Sequence, residues 1–340
     1  MDDLLKPVPD AVLIGRLRRE FILPASDPPV LNEPGGNLAY AAAAFLQWGG
    51  KPGVVSRTNN DYPSEWLEYM SAIGMDTDGI HVSSESFDDR FFVTYNQAQK
   101  PIFENPISHF ADRQLGFPQQ LLNYKPTEPV YCSKTDYSAD SIHITDIPPH
   151  YLEASAAHIS PIDYISHSIL PSVLKGGMIL TLTMRAASCY MDPIFWENIR
   201  ALVSDVTVLM FTEAQGLKLF QGRSADLWEI AGVLASYGPE FIIIHANDGT
   251  VMVYSRIAQK RWILPAYPAK VSDPTGMLDT FDGAFLQSYR KDYDVVRAAL
   301  SGIVSSSFCV EGSGPYYILG CMPGLKEARL KVLANRVMEL

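Results

Sequence analysis

The sequence has no apolar run long enough to span a bilayer. Its most apolar stretch, "LAYAAAAFLQW" at residues 38–48, is about half the length a membrane helix needs. It has no Lys/Arg cluster, and 38 acidic residues against 27 basic ones leave a net charge of −11. A phosphate backbone is bound by concentrated positive surface, so this balance argues against a nucleic-acid partner. Cysteine is scarce: Cys132, Cys189, Cys309 and Cys321 are scattered, with no CxxC pair. They are expected to be reduced, mostly buried thiols in a cytoplasmic protein. The opening "MDDLLKPVPD" is acidic and broken by proline, unlike a secretory or transit peptide. Several chemical signatures are also missing. No GxxxxGK[ST] loop, no GxGxxG after a strand, no GxSxG and no HExxH occurs. His158 and His167 stand nine residues apart and make no metal-ligand pattern.

What is present is a core. Of 340 residues, 47% are hydrophobic and 19% charged, the composition of a globular protein rather than of a disordered or fibrous one. Short apolar runs at 11–15, 51–58, 178–184, 206–211 and 241–246 read as buried strands. Helical patterns lie between them, at 35–50, 63–75, 192–203, 212–220 and 226–238. Alternating strands and helices predict a mostly parallel sheet between helical layers. From about 81 to 110 the rhythm breaks: "SESFDDRFFVTYNQAQKPIFENP" is rich in aromatic and β-branched residues with turn signals. It is expected to form strands of a small inserted sheet, with a companion at 16–33. Residues 123–150, rich in Pro and Tyr, give no clear assignment.

"VSDPTGMLDTFDGAF" at 271–285 is the most informative stretch. Met277, Phe281, Ala284, Phe285 and Tyr289 recur at helical steps, and Pro274-Thr275-Gly276 cannot extend that helix backwards. A helix starting after Gly276 presents unpaired N–H groups and partial positive charge, which suit a phosphate or the carboxylate of Asp279 alike.

The sequence resembles the ribokinase/PfkB carbohydrate kinase family. The resemblance rests on Gly35-Gly36-Asn37-Leu38-Ala39-Tyr40, on "VVSRTNNDYPSEWL" and "AIGMDTDGI", and on "DPTGMLDTFDGAF", in that order along the chain. It implies a single ribokinase-like domain over 1–340, a three-layer α/β/α fold with a β lid inserted at approximately 16–33 and 85–110. It implies ATP-dependent phosphorylation of a hydroxyl on a sugar, nucleoside or related polyol. Asp279 takes the place of the general base, and Gly276, Met277 and Leu278 that of the anion hole. Glu20, Gly35, Gly36, Asn37, Tyr40 and Arg185 fall at acceptor-binding positions. Glu213, Ala246 and Gly249 fall at nucleotide positions, with Glu213 acting on Mg²⁺ indirectly, through water or phosphate. Some relatives clasp a second subunit through the lid, which makes a homodimer an expectation.

The chain departs from the family pattern mostly around the site. Met277-Leu278 replaces Ala-Gly, Glu20 replaces an Asp, Tyr40 an Asn, Met210 the Asn of N-x-x-E, and Ala246 a Gly. A left-handed backbone at 278 would cost Leu about 1–2 kcal/mol, so the turn is expected to rearrange. The alternative to a kinase is a relative that binds a ligand or protein partner without phosphoryl transfer. Whether the backbone at 276–279 still offers N–H groups to a cleft separates the two.

Overall fold

The computed structural model describes residues 6–126 and 132–340. The first five residues of the acidic opening, and 127–131 of the Pro- and Tyr-rich segment, lie outside the described residues. The chain runs through β1 (Ala11–Ile14), β2 (Arg18–Leu23), β3 (Val30–Gly35), α1 (Asn37–Gln47), β4 (Pro52–Asn59), α2 (Ser64–Ala72) and β5 (Asp76–Ser83). Then come β6 (Arg90–Tyr95), β7 (Pro101–Ile102), α3 (Pro106–Asp112), β8 (Ala156–Ile159), α4 (Tyr164–Gly176) and β9 (Thr181–Arg185). Next are α5 (Trp196–Val203), β10 (Val208–Thr212), α6 (Glu213–Leu219), α7 (Leu227–Ser236) and β11 (Phe241–His245). The chain closes with β12 (Val251–Ser255), β13 (Lys260–Leu264), α8 (Met277–Asp292), α9 (Val295–Cys309), α10 (Leu325–Ala334) and β14 (Met338–Glu339).

Ten strands form one sheet in the order β14-β13-β12-β11-β10-β9-β8-β1-β4-β5. Pairing is parallel from β5 through β11 and antiparallel from β11 to β14. Alternate side chains of the buried strands feed two cores. Leu13, Met210 and Ile243 join one with α1, α8 and α9, while Ile14, Leu209 and Ile242 join the other with α4, α5 and α7. Burial on both faces explains why these strands read as continuous apolar runs. The result is the three-layer α/β/α fold. No helix among the described residues is long and apolar enough to cross a membrane.

A second sheet, in the order β3-β2-β6-β7, stands apart from the first. One face carries Phe21, Leu23 and Phe92 against Phe110 of α3. The other carries Ile22, Val93 and Tyr95, with Glu20 and Phe91 in the same alternation. α3 overlaps the end of the stretch expected to be extended. Pro106 fills its first turn, where a missing N–H costs nothing.

Candidate active site

A cavity of about 980 Å³ lies between the small sheet and the carboxyl ends of the parallel strands. The loop after β1 brings Arg16 to it, and the end of β9 with the loop that follows brings Arg185 and Ala187. The starts of α1 and α8 bring Gly36, Asn37 and Tyr40, and Gly276 to Asp279. Crevices at the carboxyl ends of parallel strands are where α/β sheets bind ligands.

Gly276 has φ 73° and precedes the first residue of α8, and no side chain caps the helix. The left-handed conformation therefore falls on glycine. Met277 and Leu278 are ordinary helical residues, so the expected rearrangement of the turn is corrected: the Ala-Gly positions demand no positive φ here. Met277 N donates to Pro274 O and Thr280 N to Gly276 O. Among the described residues no acceptor takes the N–H of Leu278 or of Asp279.

Of the residues expected on the acceptor side, Glu20, Gly36 and Tyr40 are tied to one another. Glu20 Oε1 accepts from Gly36 N at 2.8 Å, and its Oε2 accepts from Tyr40 Oη at 2.9 Å. Burial pushes the Glu20 carboxyl up to about 8, although these two donors oppose the shift. Gly35 is buried against that carboxyl and does not reach the cavity wall. Asn37 Oδ1 accepts from Arg16 N, and its Nδ2 donates to Pro161 O. Tyr95 of β6 shares a 3.0 Å hydrogen bond with Thr275, so the small sheet grips the turn before α8.

Arg185 donates to Asp279 Oδ1 through Nη2, and its Nε lies 2.7 Å from Asp282 Oδ2. Asp282 is fully buried, with His158 Nε2 at 3.4 Å from its Oδ2. Burial raises the Asp282 pKa, but Arg185 and His158 outweigh it and hold the carboxyl below its ordinary range. Burial pushes neighbouring His245 down to about 4, so it stays neutral. The sequence reading missed Asp282. Its signal was a carboxylate on the apolar stripe of a helix, between Phe281 and Phe285.

The four cysteines are not all free. Cys132 and Cys189 form a disulfide with Cα atoms 5.1 Å apart, which corrects the expectation of reduced thiols; Cys309 and Cys321 are unpaired. The two lie 57 residues apart, and only the packing of the 132–140 segment beside the loop after β9 brings them together. That segment lines the cavity. Its Asp140 is held 2.9 Å from both Arg16 and Arg18, and these cations outweigh burial to keep its carboxyl well below the usual range.

Glu213, Ala246 and Gly249 gather outside this cavity. Glu213 Oε2 accepts from Asn247 N at 2.8 Å. Gly249, with φ 85°, donates to Ala246 O in the turn from β11 to β12.

No protein-family model matches the chain. Its sequence is 25% identical over 284 residues to the cytidine kinase of Thermococcus kodakarensis, covering 83% of this chain and 89% of that one. Its shape is similar to the nucleoside kinase of Methanocaldococcus jannaschii, an archaeal member of the ribokinase family (TM-score 0.65, 15% identity, 96% of this chain and 100% of that one). It is also similar to a fructokinase with bound ATP from Xylella fastidiosa (TM-score 0.68, 15% identity, 97% and 99%). The sequence relative, the ordered motifs and the three-layer fold agree: the chain has the ribokinase fold and is similar to kinases of the ribokinase/PfkB family.

Proposed function

We propose that the chain transfers the γ-phosphoryl group of ATP to a hydroxyl of a sugar or nucleoside, with Asp279 as general base. The observation that carries this reading is the start of α8, where the Leu278 and Asp279 N–H groups lack acceptors among the described residues and Gly276 to Asp279 line the cavity. Phosphoryl transfer depends on positioning and on fixed donors facing the developing charge, and a helix start supplies such donors. Asp279 sits one residue into this row, where its carboxylate can accept the proton of the attacking hydroxyl. Arg185 orients that carboxylate. The side chains of Phe87, Phe91, Tyr95 and Phe103 offer ring surface on the cavity wall, which favours a nucleoside over a bare sugar. The kinase names of the relatives agree with this reading.

The residues present fit a nucleotide with Mg²⁺. The Glu213 carboxylate, beside the β11–β12 turn, is a hard oxygen donor, and Mg²⁺ takes few protein ligands while keeping several waters. Glu213 would hold the ion through water, and the ion would neutralise phosphate charge. The small sheet serves as the lid that keeps water from the phosphoryl group.

One observation favours a second reading, ligand binding without transfer. Glu20 and Asn37 spend their polar atoms on protein partners, and Asp279 is ion-paired. Thermal melting with and without Mg·ATP, beside turnover assays on sugars and nucleosides, separates the two. Nucleotide at about 100 times its Kd should stabilise the chain by about 2.7 kcal/mol. Asp279→Ala should keep that shift and lose roughly 10²–10⁴-fold in turnover. A melting shift without turnover on any acceptor supports the second reading; no shift overturns the kinase.

A further inference from the structure

We propose that Asp76, Asp78 and His150 form a site for a divalent transition cation, at the edge of the large sheet away from the cavity. Asp76 and Asp78 lie on the first residues of β5, the outermost strand beyond β4. β5 runs parallel to β4 and β1, so its beginning lies at the amino ends of the strands, opposite the end that carries the cavity. His150 comes from the short helical turn Pro149–Glu153. One ligand atom from each of the three residues falls within 4.8 Å of the others.

Two carboxylates alone would be an ordinary acidic surface. His150 makes the difference. It is 6% exposed, and neither ring nitrogen makes a hydrogen bond to another described residue. Its Nε2 points between the carboxylates, 3.6 Å from Asp76 Oδ2 and 4.0 Å from Asp78 Oδ2. These separations are too long for hydrogen bonds and leave room for an ion that each atom would approach to about 2 Å. A buried imidazole without a partner is costly, and metal ligation satisfies it.

The surroundings are arranged as outer support for such an ion. Tyr151 Oη and the Asp78 backbone N–H both donate to Asp76 Oδ1, at 2.8 and 3.0 Å. Those bonds fix the carboxylate and leave Oδ2 as the oxygen turned to His150, the role that second-layer donors play around metal ligands. Lys6 Nζ sits 2.6 Å from Asp78 Oδ2 as an exposed pair. It marks the attraction of this corner for a cation, and a divalent ion displaces it. One imidazole with two carboxylates suits Zn²⁺ or Mn²⁺, whereas Mg²⁺ prefers oxygen and water. A bound ion would tie β5 to the 149–153 turn, so the site stabilises the fold and takes no part in phosphoryl transfer.

The test uses the full chain, stripped with a chelator and titrated with Zn²⁺ by calorimetry, with Mg²⁺ as the comparison and thermal melting as a second readout. One equivalent of Zn²⁺ should bind and raise the melting temperature, and Mg²⁺ should not compete. His150→Gln should weaken that equivalent by on the order of 10- to 100-fold. Asp78→Asn, at an exposed position that folding tolerates, should weaken it as well. No Zn²⁺ binding into the high micromolar range overturns the proposal. So does an equivalent that neither substitution weakens, because the ion then sits elsewhere.

Discussion

Of the helices that begin at a glycine with positive φ, α1 and α8 both start at the border of the same cavity, yet their backbone donors are used differently. At α1, Gly36 has φ 91°. Its own N–H goes to Glu20, Leu38 N goes to Arg16 O, and Ala39 and Tyr40 both donate to Gly36 O. At α8, Gly276 has φ 73° and the N–H groups of Leu278 and Asp279 have no acceptor among the described residues. Among the described residues the first start leaves only the Asn37 N–H without an acceptor, whereas the second leaves two adjacent ones. A helix start is therefore not an anion site by position alone. What decides is whether neighbouring loops have already supplied the acceptors. Tyr40 links the two, since it belongs to α1 and packs its ring on Gly276.

Placing a methyl group on each glycine should break the comparison in opposite directions, with large effects. A Cβ at 276 would meet the Tyr40 ring at 2.2 Å, in a backbone conformation that disfavours it. Gly276→Ala should displace the unpaired donors and lower turnover by about 10²–10³-fold. At 36 the methyl would meet backbone, Arg16 O at 2.4 Å and Arg18 N at 2.8 Å. Backbone cannot step aside, so Gly36→Ala should show mainly in thermal melting, as the larger loss of stability. Equal losses of stability and turnover in both variants would erase the distinction.

The carboxylate pair on α8 gives the next effect. Asp279 lines the cavity, whereas Asp282, one turn on, is buried against Arg185 and His158. Asp282→Asn should destabilise the chain by roughly 3 kcal/mol, the scale for removing one partner of a buried ion pair. It should also leave Arg185 wholly to Asp279. A carboxylate held more tightly by its cation takes up a proton less readily, so turnover should fall as well. Stability lost with unchanged turnover would make Asp282 a packing residue only.

How much of this was legible before the structure varies by region, for physical reasons. The parallel strands were readable because burial on both faces leaves uninterrupted apolar runs. The inserted sheet was readable because aromatic and β-branched residues crowd 84–103 without helical period. The start of α8 could be located from Pro274 and Gly276 alone. Long-range pairing was not readable. Nothing in the spacing of Cys132 and Cys189 predicts that they meet, nor does local sequence show that Glu20 bonds both Gly36 and Tyr40 across the gap between two elements. Glu213 illustrates the middle case. Its place at the start of α6 was expected, but its bond to Asn247 depends on β10 and β11 lying side by side.

Glu20 allows the start of α1 to be tested by pH. Burial raises its carboxyl from 4.5 to about 8. Between those values the folded chain holds a proton that the unfolded chain has released, so stability falls as pH rises. The contribution is fully present below about pH 4.5 and is lost as pH rises through about 8. The slope is at most about 1.4 kcal/mol per pH unit. Glu20→Gln, which stays neutral, should flatten the decline of melting temperature over that window. An unchanged decline would assign it to other groups and leave Glu20 ionised in the fold.

The smallest effect belongs to the bond that joins the small sheet to the start of α8. Tyr95 Oη and Thr275 Oγ1 lie 3.0 Å apart, 180 residues distant in sequence, and theirs is a buried pair. Tyr95→Phe removes one neutral hydrogen bond, about 0.5–1.5 kcal/mol, which converts to a rise in KM between about twofold and tenfold. Because the bond ties the small sheet to the turn and touches no reacting atom, kcat should hold. Thr275→Val should do the same. If the two side chains act only through each other, the double variant should be no worse than the worse of the single ones. Additive losses would mean that Thr275 acts on the α8 start by itself, and that the small sheet does not help to place the donors.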